Sequence, residues 1–209
     1  MCIRDRFKEV ADIKTSDQLH LPVPDAKFET VVAKPSEIQK EMVRELSKRA
    51  ARIHSGAVEA FEDNMLCVTN DGRKIGLDVR LMNPMLPDDP SSKLNICVQN
   101  VLQIWEDGKE QKLTQLLFCD LSTPKNDDNF NVYDDIRRKL VAAGVPESEV
   151  EFIHSADTEA KKAALFSKVR SGDVRILLGS TAKMGAGTNV QQRLVAVHHL
   201  DLSLIHISE

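Results

Sequence analysis

Four short, mainly apolar runs set the limits on what this chain can fold into: QLLFCDL from Gln115, VEFIH from Val150, VRILLGS from Val174 and LVAVHHLDL from Leu194. A strand with one wet face alternates apolar and polar residues, whereas a continuous run is expected of a strand covered on both faces. Segments of helical length separate the first three runs. FNVYDDIRRKLVAAG ends at Gly144, and DTEAKKAALFSKVRSG is capped by Asp157 or Thr158 and closed by Gly172. Strands alternating with helices of this length predict an α/β fold, a parallel doubly wound sheet with right-handed crossovers. Ligands of such sheets bind beyond the carboxyl ends of the strands. Four segments fall there: Ser122-Thr123-Pro124, His154-Ser155-Ala156, Ser180 to Asn189, and the residues after Asp201.

The upstream half reads differently. Residues 7–29 are polar and weakly patterned, and Pro22 and Pro24 block a helix, so they are expected to form a linker. Ser36 and Gln39 make a capping box ahead of Ile38, Met42, Leu46, Ala50 and Ile53 at helical spacing. The opposite face carries Lys40, Arg44, Lys48, Arg49 and Arg52 among Glu37, Glu41 and Glu45, the pattern of a solvated face with i,i+4 pairs. From Asn64 to Pro90 the sequence reads as irregular, with Asn70-Asp71-Gly72 as a turn or hairpin signal. A further helix follows, with Leu94, Cys97, Val98, Val101, Leu102 and Trp105 on one stripe and Gly108 at its end.

Composition narrows the classes. With 209 residues, 42% of them hydrophobic, and a net charge of −4, the chain suits one good core or a domain plus a partial one. No apolar run is long enough to span a membrane, and a cytoplasmic location is expected. Contact with nucleic acid would have to rest on local patches, and 4% aromatic residues argue against a base-stacking platform. Cys2, Cys67, Cys97 and Cys119 lack C-x-x-C spacing and read as reduced thiols. His198 and His199 are placed on the last strand, one facing inward, with no second metal-ligand group at the right spacing. MCIRDR and LSLIHISE fit neither neighbouring pattern and resemble translated sequencing-adapter read-through. Met1 to Arg6 and 202–209, His206 included, are therefore given no functional weight, and the protein is expected to continue past both ends.

The densest cluster of chemistry is DVRILLGSTAKMGAGTNVQ. Gly179, Gly185 and Gly187 stand there among Ser180, Thr181, Lys183, Thr188 and Asn189. Glycines allow close backbone approach, and bare N–H groups with hydroxyls and a lysine suit a phosphate. A plain tight turn remains an equal reading of the same residues. The loop has neither the Walker A order nor the G-x-G-x-x-G fingerprint, since Val190 stands where the third glycine would be.

The run from Gln115 to Asp201 resembles the second RecA-like lobe of superfamily 2 helicases of the Swi/Snf-like branch, and more closely the helicase–DNA-methylase proteins of phages and mobile elements. LLFCDLST is similar to that family's motif IV. His154, Phe166, Gly172, Ser180-Thr181 and Gly185-x-Gly187-x-Asn189 follow in the order of its later motifs. VVAKPSEIQKEMVREL and PSSKLNICVQNVL resemble the segment leading out of the first lobe. The resemblance implies an incomplete RecA-like lobe at 111–201, a mainly helical lead-in at 30–110, a linker start at 1–29 and an adapter-like tail at 202–209.

It further implies that Ser122, Thr123, His154, Ser180, Thr181 and Lys183 contact nucleic-acid phosphates, and that Gly185, Gly187 and Asn189 face ATP. The implied activity is ATP-dependent translocation on DNA, with ATP and magnesium as cofactors and the magnesium ligands in the first lobe. The implied partners are DNA, a first helicase lobe and a DNA-methylase domain in the same longer chain. Two departures stand out: Ser155 replaces the family's glycine after His154, and no arginine-bearing motif VI follows Asp201. This chain would thus carry half an ATPase site and no catalytic group, and is expected to be inactive alone. The competing reading is a non-catalytic RecA-like module that binds nucleic acid or a protein. A phosphotransferase would need a nucleophile or base near the loop, and none is visible there.

Overall fold

The computed structural model describes residues 25–59, 61–124, 129–185 and 188–201. The readings on residues 1–24, on Gly187 and on 202–209 lie outside the described residues. The chain divides into two units, 1–31 and 32–209. Of the first, residues 25–31 form neither helix nor strand.

In the second unit, helix α1 (Glu37–His54) opens with the predicted capping box: Ser36 accepts from Gln39 N–H, and the Gln39 side chain accepts from Ser36 N–H. Its charged face pairs at i,i+3, not i,i+4, through Lys40–Glu37, Arg44–Glu41 and Lys48–Glu45. Arg49 departs from the solvated reading altogether. It ion-pairs with Asp63 and Asp71, both at 2.8 Å.

The irregular reading of 64–90 holds from 82 to 90 but fails over 65–81, and its hairpin is overturned. Asn64 caps helix α2 (Met65–Leu77), accepting from Cys67 N–H at 3.1 Å, and Asn70-Asp71-Gly72 lies inside that helix. Tertiary packing explains the failure of the local turn signal. Val68 and Ile75 of α2 bury against Leu46 and Val79, and Leu46 Cδ1 lies 3.6 Å from where a Gly72 Cβ would stand. Asp71 is held by Arg49 instead of starting a turn.

Beyond α2, Arg80 is buried among carboxylates in a short 3-10 turn, Val79–Leu81. Its guanidinium reaches Asp78 at 2.7 Å, Asp135 at 2.9 Å and Asp88 at 3.2 Å, and stacks 4.4 Å from the Phe130 ring centroid. Lys139 joins the network through Asp88 and Asp135.

The remaining elements form an α/β body. Helix α3 (Lys93–Asp107), capped by Ser92 and ended at Gly108, precedes strand β1 (Thr114–Phe118). Helix α4 (Val132–Ala142), strand β2 (Val150–Phe152), helix α5 (Glu159–Ser171), strand β3 (Ile176–Gly179), the single turn α6 (Thr181–Met184) and strand β4 (Leu194–His199) follow. The four strands make one all-parallel sheet in the order β2-β3-β1-β4. Both faces of β1 and β3 are covered, as continuous apolar runs require, whereas β4 at the edge leaves Val195 and Val197 exposed on one face. Leu117, Val150, Phe152, Ile176 and Leu178 pack with α3 and α4 residues such as Val101, Tyr133 and Ile136. Leu116, Phe118 and Leu177 pack with Leu165 and Val169 of α5. Gly172 closes α5 with φ +81°, and Lys112 Cβ lies 2.6 Å from any Cβ it could carry, so only glycine fits there. Trp105 is partly buried against the first core, its Nε1 donating to Glu149 at 2.7 Å. Cys97 and Cys119 are buried and Cys67 is exposed, all three as free thiols.

Among the described residues no helix is long and apolar enough to cross a membrane.

Candidate functional site

The carboxyl ends of the central strands β1 and β3 carry the loops that the sequence singled out. After β3 the chain turns at Ser180, which is buried and extended, and enters α6. Ser180 stands at the N-cap, where a serine hydroxyl ordinarily accepts from the first free amides of a helix. It makes no such bond. Its carbonyl accepts from Lys183 N–H and Met184 N–H, and the Thr181 N–H instead donates to Asp120 Oδ1 at 2.6 Å. The first helical amide is thus satisfied from the end of β1, and the Ser180 side chain makes no cap hydrogen bond.

Gly179 owes its place to packing and not to a ligand. A Cβ there would lie 2.5 Å from Ile153 Cγ2 and 2.6 Å from Met184 Sδ, so the glycine lets the turn after β2 and α6 close over the end of β3. Part of the bare backbone in this stretch therefore answers a steric demand.

His154 was expected on a strand, but β2 ends at Phe152 and His154 sits in a 3-10 turn, Ile153–Ser155. Within that turn Ser155 Oγ donates back to the Phe152 carbonyl at 2.7 Å. The His154 ring meets Tyr133 edge-on, with centroids 5.3 Å apart, and its Nδ1 is buried without a hydrogen-bond partner. Burial, and then the charge of Lys183, hold this imidazole below its ordinary value of 6.5. That interaction places Lys183 within electrostatic reach of His154. Lys183 itself is exposed.

Ser122 takes the left-handed conformation at φ 57°, and its Oγ accepts from Val132 N–H at 3.0 Å, fixing the start of α4. Thr123 beside it is half-buried. Gly185 is exposed with an ordinary right-handed φ of −69°, its N–H donating to the Thr181 carbonyl at 2.7 Å. Asn189 belongs to a different neighbourhood. Its carbonyl accepts from Arg170 Nη1 at 2.9 Å, in the last turn of α5, and its residue is exposed. Thr188 keeps a buried hydroxyl without a partner. The structure thus joins Ser180, Thr181 and Lys183 with the end of β1 and with His154, and ties Asn189 elsewhere.

His198 faces inward and bonds Gln115 Oε1 through Nε2 at 2.9 Å, while His199 stacks on Phe118 at 5.1 Å. Burial, with His199 beside it, lowers the His198 pKa. Among the described residues no group of three or more His, Cys, Asp or Glu side chains could hold a metal ion.

Two residues that sequence reasoning passed over, Asp120 and Asp201, organise this edge. Phe118 of β1 lies opposite His199 of β4, and each strand carries an aspartate two residues further on. The Asp201 carboxylate accepts from Asp120 N–H at 2.7 Å and Leu121 N–H at 2.8 Å, and Arg73 of α2 stands 3.6 Å from it. The signal in the sequence was the same offset of Asp after two apolar runs.

No family model and no curated protein matches this chain.

Proposed function

We propose that this chain is part of an ATP-dependent DNA translocase or helicase, in which 111–201 is an incomplete second RecA-like lobe that grips the backbone of the tracked strand. The observation that supports the reading is the loop after β3. Ser180, Thr181 and the exposed Lys183 gather beyond the carboxyl ends of two central parallel strands, where such folds bind ligands. The Ser180 side chain makes no cap hydrogen bond and Lys183 is exposed, so both are available to meet a phosphate. Hydroxyls and a lysine hold phosphates without reading bases, which suits a motor that steps along any sequence.

On this reading Gly185 and Asn189 face ATP. On the same reading the metal ligands and the hydrolytic step belong to the first lobe.

The test is Lys183→Ala. Affinity for labelled DNA should fall about equally for unrelated sequences, and the slope of log affinity against log salt should shrink by roughly one. Unchanged binding after Lys183→Ala and Ser180→Ala would leave the loop as a turn and sink the proposal.

A further inference from the structure

The carboxylate that caps α6 is a full negative charge set against the very residues proposed to meet phosphate. It is not there by local accident. Asp120 lies 61 residues from Thr181, and its backbone is pinned by Asp201 from a third strand, which accepts both Asp120 N–H and Leu121 N–H. The Asp201 side chain is itself only 7% exposed and is steadied by Arg73. A hydroxyl at the N-cap reaches the second and third helical amides, so the first, Thr181 N–H, is left to Asp120.

From this arrangement we infer that Asp120 is an internal anion limiting how tightly the Ser180–Lys183 loop holds a nucleic-acid phosphate, with Asp201 as the residue that positions it. The inference rests on the phosphate-gripping reading of the loop. A strand's phosphate approaching Ser180 and Lys183 meets attraction from the lysine and repulsion from Asp120, so the grip is weaker than hydroxyls and lysine alone would make it. A motor must release each phosphate as readily as it takes it, and a fixed opposing charge provides that.

The experiment is DNA-binding anisotropy with the whole chain and a fluorescein-labelled oligonucleotide, single-stranded and duplex, across a salt series. Asp120→Asn keeps an acceptor oxygen for Thr181 N–H and removes the charge. It should bind about fivefold more tightly at low salt, the effect of roughly one charge a few ångströms from a phosphate in a wet site, and the gain should fade as salt rises. Asp120→Ser, a shorter neutral acceptor, is read in its place if the asparagine variant does not melt cooperatively.

Asp157→Asn is the control for bulk charge, since Asp157 also feels Lys183 but is exposed and paired with Lys161. Tightening in Asp120→Asn well beyond Asp157→Asn supports the inference. Equal tightening in both, or none in Asp120→Asn while Lys183→Ala still weakens binding, overturns it and leaves the gripping loop standing. If Lys183→Ala is silent as well, the reading of the loop fails first.

Discussion

The helical region around α1 and α2 and the parallel sheet solve the same burial problem with different means. The sheet encloses its side chains: Leu117, Ile176 and Leu177 are fully buried between helices on both faces. The α1–α2 pair closes over a small buried core, Leu46, Val68, Ile75 and Val79, with Met42, Ala50 and Ile53 partly buried against it, and leaves Leu66 77% exposed. What the helices lack in enclosed apolar surface is supplied by charge, through the Arg49 clamp on Asp63 and Asp71 and the buried Arg80 network. Apolar burial is nondirectional and tolerant, whereas a buried charge is only as good as its full set of partners. The two regions should therefore break in different ways.

The largest effect is expected in the sheet. Leu178→Ala removes a side chain that is 1% exposed and should cost about 3–4 kcal/mol, seen as a loss of the whole cooperative transition in urea. A loss under 1 kcal/mol would mean that the sheet is not the main store of stability.

Next comes Arg80→Ala, which leaves Asp78 without its ion-pair partner and takes one of three cations from Asp135, and should cost about 3 kcal/mol. Its distinguishing mark is pH. Burial alone would push the Asp135 carboxyl up, but hydrogen bonds from Lys139, Arg138 and Arg80 outweigh it and hold the carboxyl below its ordinary 3.8. A depressed carboxylate contributes stability that is present above its unfolded value and lost as pH falls through the folded one. Wild type should thus lose stability on acidification below about pH 4, and Arg80→Ala should lose less over the same range. Parallel acid profiles for the two proteins would show that the network is not what titrates.

The smallest effect sharpens the comparison most. Arg49→Ala breaks the clamp between α1 and α2, and amide exchange should speed up across Glu37–His54 and Met65–Leu77 while β1 and β3 exchange as slowly as before. Equal acceleration in the strands would show one cooperative unit in place of two unequal ones.

The same division governs what could be read from the sequence. Strands β1 and β3 were legible because LLF and ILLG run apolar without interruption, and only a doubly covered strand needs that. The caps at Ser36 and Gly172 were legible, and that of α5 was narrowed to Asp157 or Thr158, because capping is local chemistry. Helix α2 was not, because Asn70-Asp71-Gly72 is a turn by local preference and a helix only once Leu46 and Arg49 of α1 are beside it. The site divides likewise. Ser180, Thr181 and Lys183 stand out by type and position, but the partner of the Thr181 amide lies 61 residues away on another strand. Nothing in a linear reading links Asp120 to it until the order β2-β3-β1-β4 makes the two strand ends neighbours.

The thiols turn this architecture into a clock. Cys67 faces solvent on α2, while Cys97 on α3 is enclosed and burial pushes its pKa up to about 12. Cys119, at the end of β1, is pushed up by burial and by the nearby Asp201. A maleimide added to native protein therefore marks Cys67 at once, and marks Cys97 and Cys119 only when their shelter opens. Cys97 times the parting of α3 from the sheet, and Cys119 times the opening of the edge where Asp120 and Asp201 meet.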